Sequence, residues 1–120
     1  MAEQDGTAVL TISSSVRDGI VVVSLVGELD MSTADDAAVA LREATVSARA
    51  VVVDMTGLRF FASAGVNVLL QLRRDMDEKG VTVRLVADQR AVLRPLELMG
   101  MADLFLVHVS VADALAAAGT

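Results

Sequence analysis

Along this chain, blocks in which apolar residues alternate or run together are separated by blocks with helical spacing, and the two kinds follow one another to the C-terminus. Val9 to Ser13 and Ile20 to Val26 are strand-like runs around Arg17-Asp18-Gly19, a turn signal with a positive φ expected at Gly19. They predict an antiparallel hairpin, closed by Gly27-Glu28-Leu29-Asp30. A helix follows to about Ser47, with Ser32 or Thr33 as cap, Asp35 and Asp36 in the first turn, and Ala37, Leu41 and Ala44 on one face. Ala50 to Asp54 predicts a third strand, continuously apolar and therefore covered on both sides, ending at an acidic turn. After a short apolar step a second helix opens on Ser63, with Gly65, Val68, Leu69, Leu72 and Met76 at helical spacing and Lys79-Gly80 as its end. Val81 to Val86 reads as a fourth strand. Ala91 to Met99 reads as a short helix, with Pro95 near its first turn and Gly100 after it. Leu104 to Val109 reads as a fifth strand, and Ser110 caps a last helix over 111–118.

After the opening hairpin, strands and helices alternate. That order predicts an α/β fold whose mixed, mostly parallel sheet is opened by an antiparallel hairpin and carries about four helices. A length of 120 residues fits one domain, placed at 9–118 behind a flexible polar N-terminus at 1–8.

Composition narrows the function classes. The chain is 54% hydrophobic, yet no apolar run reaches the roughly 20 residues of a membrane helix. No basic segment precedes an apolar one at the start, so no secretory signal is read and a cytoplasmic location is expected. Without cysteine there is neither a disulfide nor a thiolate metal site. A net charge of −6 and unclustered arginines argue against nucleic acid, and the lack of Trp and Tyr argues against a base-stacking surface.

Catalytic constellations are weak. Ala62-Ser63-Ala64-Gly65 is not a nucleophile elbow, and the sole histidine, His108, lies in the last strand as a partly solvated or hydrogen-bonded residue. The paired carboxylates Asp35-Asp36 and Asp75, Asp77 and Glu78 read as solvated helix charges, so neither metal nor cofactor is expected. Nucleotide-binding glycine motifs are absent. Asp54 at a strand end suggests a phospho-receiver domain. That reading lacks an acidic pair after the first strand and a lysine after the fifth, and a carboxylate accepting turn N–H bonds fits Asp54 better.

Ser63 is the most informative candidate. As a helix N-cap it contributes about 1 kcal/mol. As a phosphorylation site it would present its phosphate to free backbone N–H groups and the positive end of the dipole. Its small neighbours Ala62, Ala64 and Gly65 leave the hydroxyl unobstructed.

Three segments together resemble a STAS domain and, within it, the bacterial anti-sigma-factor antagonists. They are Gly27-Glu28-Leu29-Asp30, the stretch from Val53 to Val66 through Asp54-Met55, Phe60-Phe61 and Ser63, and the stretch from Leu96 through Gly100 to Phe105. The resemblance covers about Val9 to Leu115. It implies a non-enzymatic switch. In that family the matching serine is phosphorylated by an anti-sigma factor that is itself a serine kinase of ATPase fold. The dephosphorylated antagonist binds that kinase and frees its sigma factor, and a serine phosphatase restores binding. The residue that matches is Ser63. The implied partner surface comprises Asp30, Ala62, Ser63, Ala64, Gly65, Val66, Asn67 and Leu70, with Val66 and Leu70 on the exposed side of the helix. The sequence departs from the family's Asp-Ser-(Ser/Thr) at Ala62 and Ala64, and from its second glycine at Asn67. The alternatives are a STAS scaffold in a stress-signalling or transport assembly, the phospho-receiver, and a nucleotide or lipid sensor using a groove near Gly27 and Ser63.

Overall fold

The structure, a computed structural model, describes residues 9–119; the expected tail at 1–8 lies outside them. Strands β1 (Leu10–Arg17) and β2 (Ile20–Leu29) precede helix α1 (Ala34–Ala44). Strand β3 (Ala50–Phe61), helix α2 (Ser63–Glu78) and strand β4 (Val83–Val86) follow. Helix α3 (Arg90–Leu98), a 3-10 turn (Ala102–Leu104), strand β5 (Leu106–His108) and helix α4 (Val111–Ala118) complete the order. The sheet order is β1-β2-β3-β4-β5, antiparallel between β1 and β2 and parallel elsewhere. This is the expected mixed sheet with four helices. It is not the 2-1-3-4-5 order of a receiver domain, which removes that alternative.

The layering follows from chirality. Each parallel crossover adds its strand in the same direction, and right-handed connections therefore leave α1, α2 and α3 on one face. Val21, Val23, Leu25, Val51, Val53, Met55 and Leu85 point into that layer and meet Leu41, Leu69, Leu72, Val92 and Leu96. No strand follows α4, and it covers the opposite face over Ile20, Val22, Ala50, Val52 and Val86. Ala50–Val53 is thus buried on both sides, as its continuous apolar run predicts.

Several boundaries differ from expectation, each for a local reason. The hairpin turn holds both Asp18 (φ 53°) and Gly19 (φ 81°) left-handed, which is the two-residue turn matched to strand twist, so β1 runs on to Arg17. Helix α1 stops at Ala44, with buried Thr45 as its C-cap, whose N–H and hydroxyl both donate to the Leu41 carbonyl, at 3.2 and 2.7 Å. Strands β4 and β5 start late because the ends of α2 and α3, and before β5 also the 3-10 turn Ala102–Leu104, take up the residues before them. Gly80 (φ 72°) and Gly100 (φ 69°) close α2 and α3, and Val81 and Met101 donate back to the Met76 and Leu96 carbonyls. Pro95 lies in the second turn of α3, not the first, where its ring leaves the half-buried Ala91 carbonyl without a helical donor.

The largest correction concerns β3. It does not stop at Asp54; it continues to Phe61. The β2–β3 register shifts twice, between Ser24 and Val26 and between Gly27 and Glu28. At each shift β3 carries an extra residue. The buried positions therefore go Met55, Leu58, Phe61 rather than every second residue. Asp54 is a mid-strand residue, and its Oδ1 accepts the Thr56 N–H at 3.1 Å and the Thr56 hydroxyl at 2.7 Å.

Candidate functional site at the head of α2

The site is assembled where β2 and β3 end side by side. Ala62 N–H donates to the Leu29 carbonyl at 3.0 Å, which joins the last residues of the two strands. From that junction β2 turns toward α1 through Asp30, and β3 enters α2 through Ser63. The helix then closes directly on the strands. A Cβ on Gly65 would stand 2.7 Å from Leu29 Cγ and 2.9 Å from Phe61 Cε1, so only glycine lets the first turn sit this close. Lower down, Gly27 holds φ 120°, and a Cβ there would meet the Val9 carbonyl at 2.1 Å. That carbonyl accepts the Glu28 N–H at 2.6 Å. The glycine of Gly27-Glu28-Leu29-Asp30 therefore has a steric cause.

Ser63 is not the N-cap of α2. The cap is Ala62, extended at φ −109° and ψ 175°, whose carbonyl accepts from Gly65 N at 2.9 Å and Val66 N at 3.2 Å. Ser63 is the first helical residue. It is exposed, and its side chain makes no capping bond. The hydroxyl stands at the positive end of a 16-residue helix with no structural duty there.

Asp30 organises the neighbouring turn. Its Oδ1 accepts the Ser32 N–H at 2.9 Å and the Ser32 hydroxyl at 2.7 Å. Thr33 Oγ1 accepts the Asp30 N–H at 3.0 Å and donates to the Glu28 carbonyl at 3.0 Å. Thr33 takes the N-cap position of α1, as expected, and its carbonyl accepts the Ala37 N–H at 3.0 Å, but both hydroxyls serve the turn and the cap makes no side-chain bond. The Ser32 hydroxyl holds the Asp30 carboxyl below its ordinary value against desolvation in the other direction, with smaller help from the Ser32 and Thr33 backbone. Because that pKa is depressed in the fold, the turn is fully supported above the ordinary carboxylate range. The support is lost only as pH falls through the lowered value.

The expected partner residues separate into two groups. Ser63 and Asn67 are exposed, and Asp30, Ala62, Ala64 and Leu70 are half-buried around them. Gly65 and Val66 are interior, and Val66 is 0% exposed. The placement of Val66 on the open side of the helix is corrected: the apolar stripe of α2 runs through Val66, Leu69, Leu72 and Met76. Half-buried Leu70 packs against the core at one edge of that stripe.

Two residues of the site were missed in the sequence. Met31, in the Asp30 turn, is 86% exposed. The only signal for it was an apolar residue placed between turn formers. Gln89 supports the site from below. Beyond Asp54, β3 has no β4 partner, and the Gln89 side-chain amide donates to the Met55 carbonyl at 2.7 Å and the Leu58 carbonyl at 3.1 Å. A groove of about 520 Å³ opens between the C-terminal halves of α1 and α2, floored by Leu41, Leu72 and Met76 and not at Gly27 or Ser63. His108 sits half-buried with its Nε2 3.2 Å from Arg84 Nη1, on β5 and apart from this site. Among the described residues, no helix is long and apolar enough to cross a membrane.

This geometry agrees with what the chain is similar to. A family profile described as the STAS domain matches residues 11–114. The anti-sigma-F factor antagonist RsfA of Mycobacterium tuberculosis is 30% identical over 95% of this chain and 96% of its own length. The anti-sigma-F factor antagonist RsfB of the same organism is 28% identical, over 88% of this chain and 87% of its own. The crystal structure of an anti-sigma factor antagonist from Mycobacterium paratuberculosis superposes with a TM-score of 0.86 at 29% identity, covering 92% of this chain and 95% of that one.

Proposed function

Since the chain belongs to the STAS-domain family, we propose that it is an anti-sigma factor antagonist: it binds an anti-sigma factor of the serine-kinase type, releases the sigma factor, and is switched off by phosphorylation of Ser63. The observation that carries this reading is an exposed serine hydroxyl at the first position of α2, free of capping duty and flanked by the small half-buried residues Ala62 and Ala64. A partner can lie flat on such ground.

In the transfer, Ser63 Oγ bonds to the γ-phosphorus of ATP. The bond to the bridging β–γ oxygen breaks, ADP leaves, and the hydroxyl proton passes to a base on the kinase. The phosphate brings roughly −1.5 to −2 charges to a surface where Asp30 already holds its carboxylate ionised. Buried in the contact without a matching cation, it costs several kcal/mol. A loss of about 4 kcal/mol is roughly a thousandfold in affinity. Ala62 and Ala64 remove the family's flanking carboxylate and hydroxyl, so kinase recognition of Ser63 relies on the helix head and the Asp30 turn.

The test uses a purified ATPase-fold anti-sigma factor from the same genome. Wild type and Ser63→Ala are expected to bind it alike, and Ser63→Glu to bind at least a hundredfold more weakly. With magnesium and ATP, mass spectrometry should place one phosphate on Ser63 in wild type and none in Ser63→Ala. Equal binding of all three forms would overturn the switch.

A further inference from the structure

The most exposed large apolar side chain among the described residues belongs to Met31, at 86%. It is not a frayed residue. It rides on the Asp30–Thr33 turn, whose Asp30, Ser32 and Thr33 groups are bonded to one another and whose Thr33 hydroxyl ties the turn to the Glu28 carbonyl. The turn borders Ser63, because Leu29 and Ala62 are bonded immediately before both. A rigid mount that holds an apolar side chain out in water has no use in the isolated fold. In a complex it has one, since the ordering entropy of the mount is already spent before binding.

The surroundings state what should cover it. Asp30 flanks Met31 on one side, and exposed Asp35 and Asp36 follow in the first turn of α1. Among the described residues the one ion pair is Arg59 with Glu28, at 3.8 Å, so these three carboxylates have no cationic partner among those residues. Asp35 and Asp36 suit the α1 dipole, but that leaves their charge open to solvent. Resting on the reading of this face as the anti-sigma docking surface, we propose that Met31 is its apolar anchor, and that the partner receives it in an apolar pocket rimmed by arginine or lysine. The pocket supplies affinity, and the rim supplies steering toward Asp30, Asp35 and Asp36.

The experiment measures association and dissociation of the full chain with the purified ATPase-fold anti-sigma factor at low and high salt. Met31→Ala should weaken binding about thirtyfold, mostly through faster dissociation, and Met31→Leu should restore most of it. The double change Asp35→Asn with Asp36→Asn should slow association by roughly an order of magnitude at low salt and flatten its salt dependence. All of these positions are exposed, so the melting temperature reports whether a variant stays folded. If Met31→Ala binds like wild type while Ser63→Glu fails to bind, the anchor is wrong and the switch stands. If the acidic double variant keeps the wild-type salt dependence, the basic rim is wrong. If wild type itself does not bind, the anchor falls together with the function it rests on.

Discussion

Helices α2 and α4 both begin beside a serine, and they use it in opposite ways. At α4, Ser110 precedes the helix in extended conformation (φ −143°, ψ 156°), and its Oγ accepts the Asp113 N–H at 3.1 Å. This is the cap expected from the sequence. At α2 the preceding residue is Ala62, and Ser63 lies one place further in, exposed and making no capping bond. The cause of the difference is what each helix has to hold it. Helix α4 has eight residues and one fully buried side chain, Ala114, so a cap matters to it. Helix α2 has 16 residues and buries Val66, Leu69, Leu72 and Met76, with Gly65 fitted against Leu29 and Phe61. Its packing makes the cap dispensable, and its serine is left for chemistry.

That contrast breaks first at Gly65. If close packing, rather than capping, seats the head of α2, then Gly65→Val must push Leu29 and Phe61 apart. The expected cost is about 2–3 kcal/mol, a drop in melting temperature on the order of 10 °C for a domain of this size. The corresponding third residue of α4 is exposed Asp113. Asp113→Ala should cost at most about 0.5 kcal/mol through its dipole interaction, with its backbone N–H still bonded to Ser110. Urea unfolding of the two variants side by side would decide. Similar losses would mean that α2 is not held by its glycine contact.

The next largest effect is expected at Gln89. The strand that delivers Ser63 outruns its β4 neighbour after Asp54, and the Gln89 amide takes up the Met55 and Leu58 carbonyls on the free edge. Gln89→Ala strips both acceptors in a part-buried position and should cost about 1–2 kcal/mol. Both donated bonds go to β3 carbonyls on the way to Ser63, so the loss should be confined to the Ser63 side. Hydrogen exchange should rise in 55–66 and remain unchanged in 111–118.

These positions also mark where the sequence was readable. The element order, the parallel sheet and the Ser110 cap follow from period, turn chemistry and a short capped helix, which are local signals. The doubly buried run at Ala50–Val53 is equally plain, because both faces demand apolar residues. The reading fails at 55–61, where two bulges change the inward positions to every third residue. Alternation cannot be seen in such a strand, so the chain after Asp54 reads as an acidic turn and a short apolar step. Val66 was misplaced for a related reason. The spacing is read as a stripe through Gly65, Val68 and Leu69, whereas the inward face turns through Val66, three residues before Leu69, and leaves Val68 half-buried. Met31 and Gln89 were illegible because their roles depend on elements far away in the chain or on a surface that only the fold creates.

The smallest effect is the sharpest test of the contrast between the serines. Ser110→Ala removes a bonded cap and should cost about 1 kcal/mol. Ser63→Ala removes a hydroxyl that bonds nothing within the helix, and alanine has the higher helix propensity, so stability should stay within about 0.5 kcal/mol of wild type or rise slightly. Ala62→Ser completes the argument, because it places a hydroxyl where the backbone is already extended for capping, at φ −109° and ψ 175°. It should stabilise by about 0.5–1 kcal/mol if the cap position of α2 is truly vacant. If Ala62→Ser is neutral while Ser63→Ala costs as much as Ser110→Ala, then Ser63 is serving as the cap in solution. Its hydroxyl would then have to leave a structural bond before it could react.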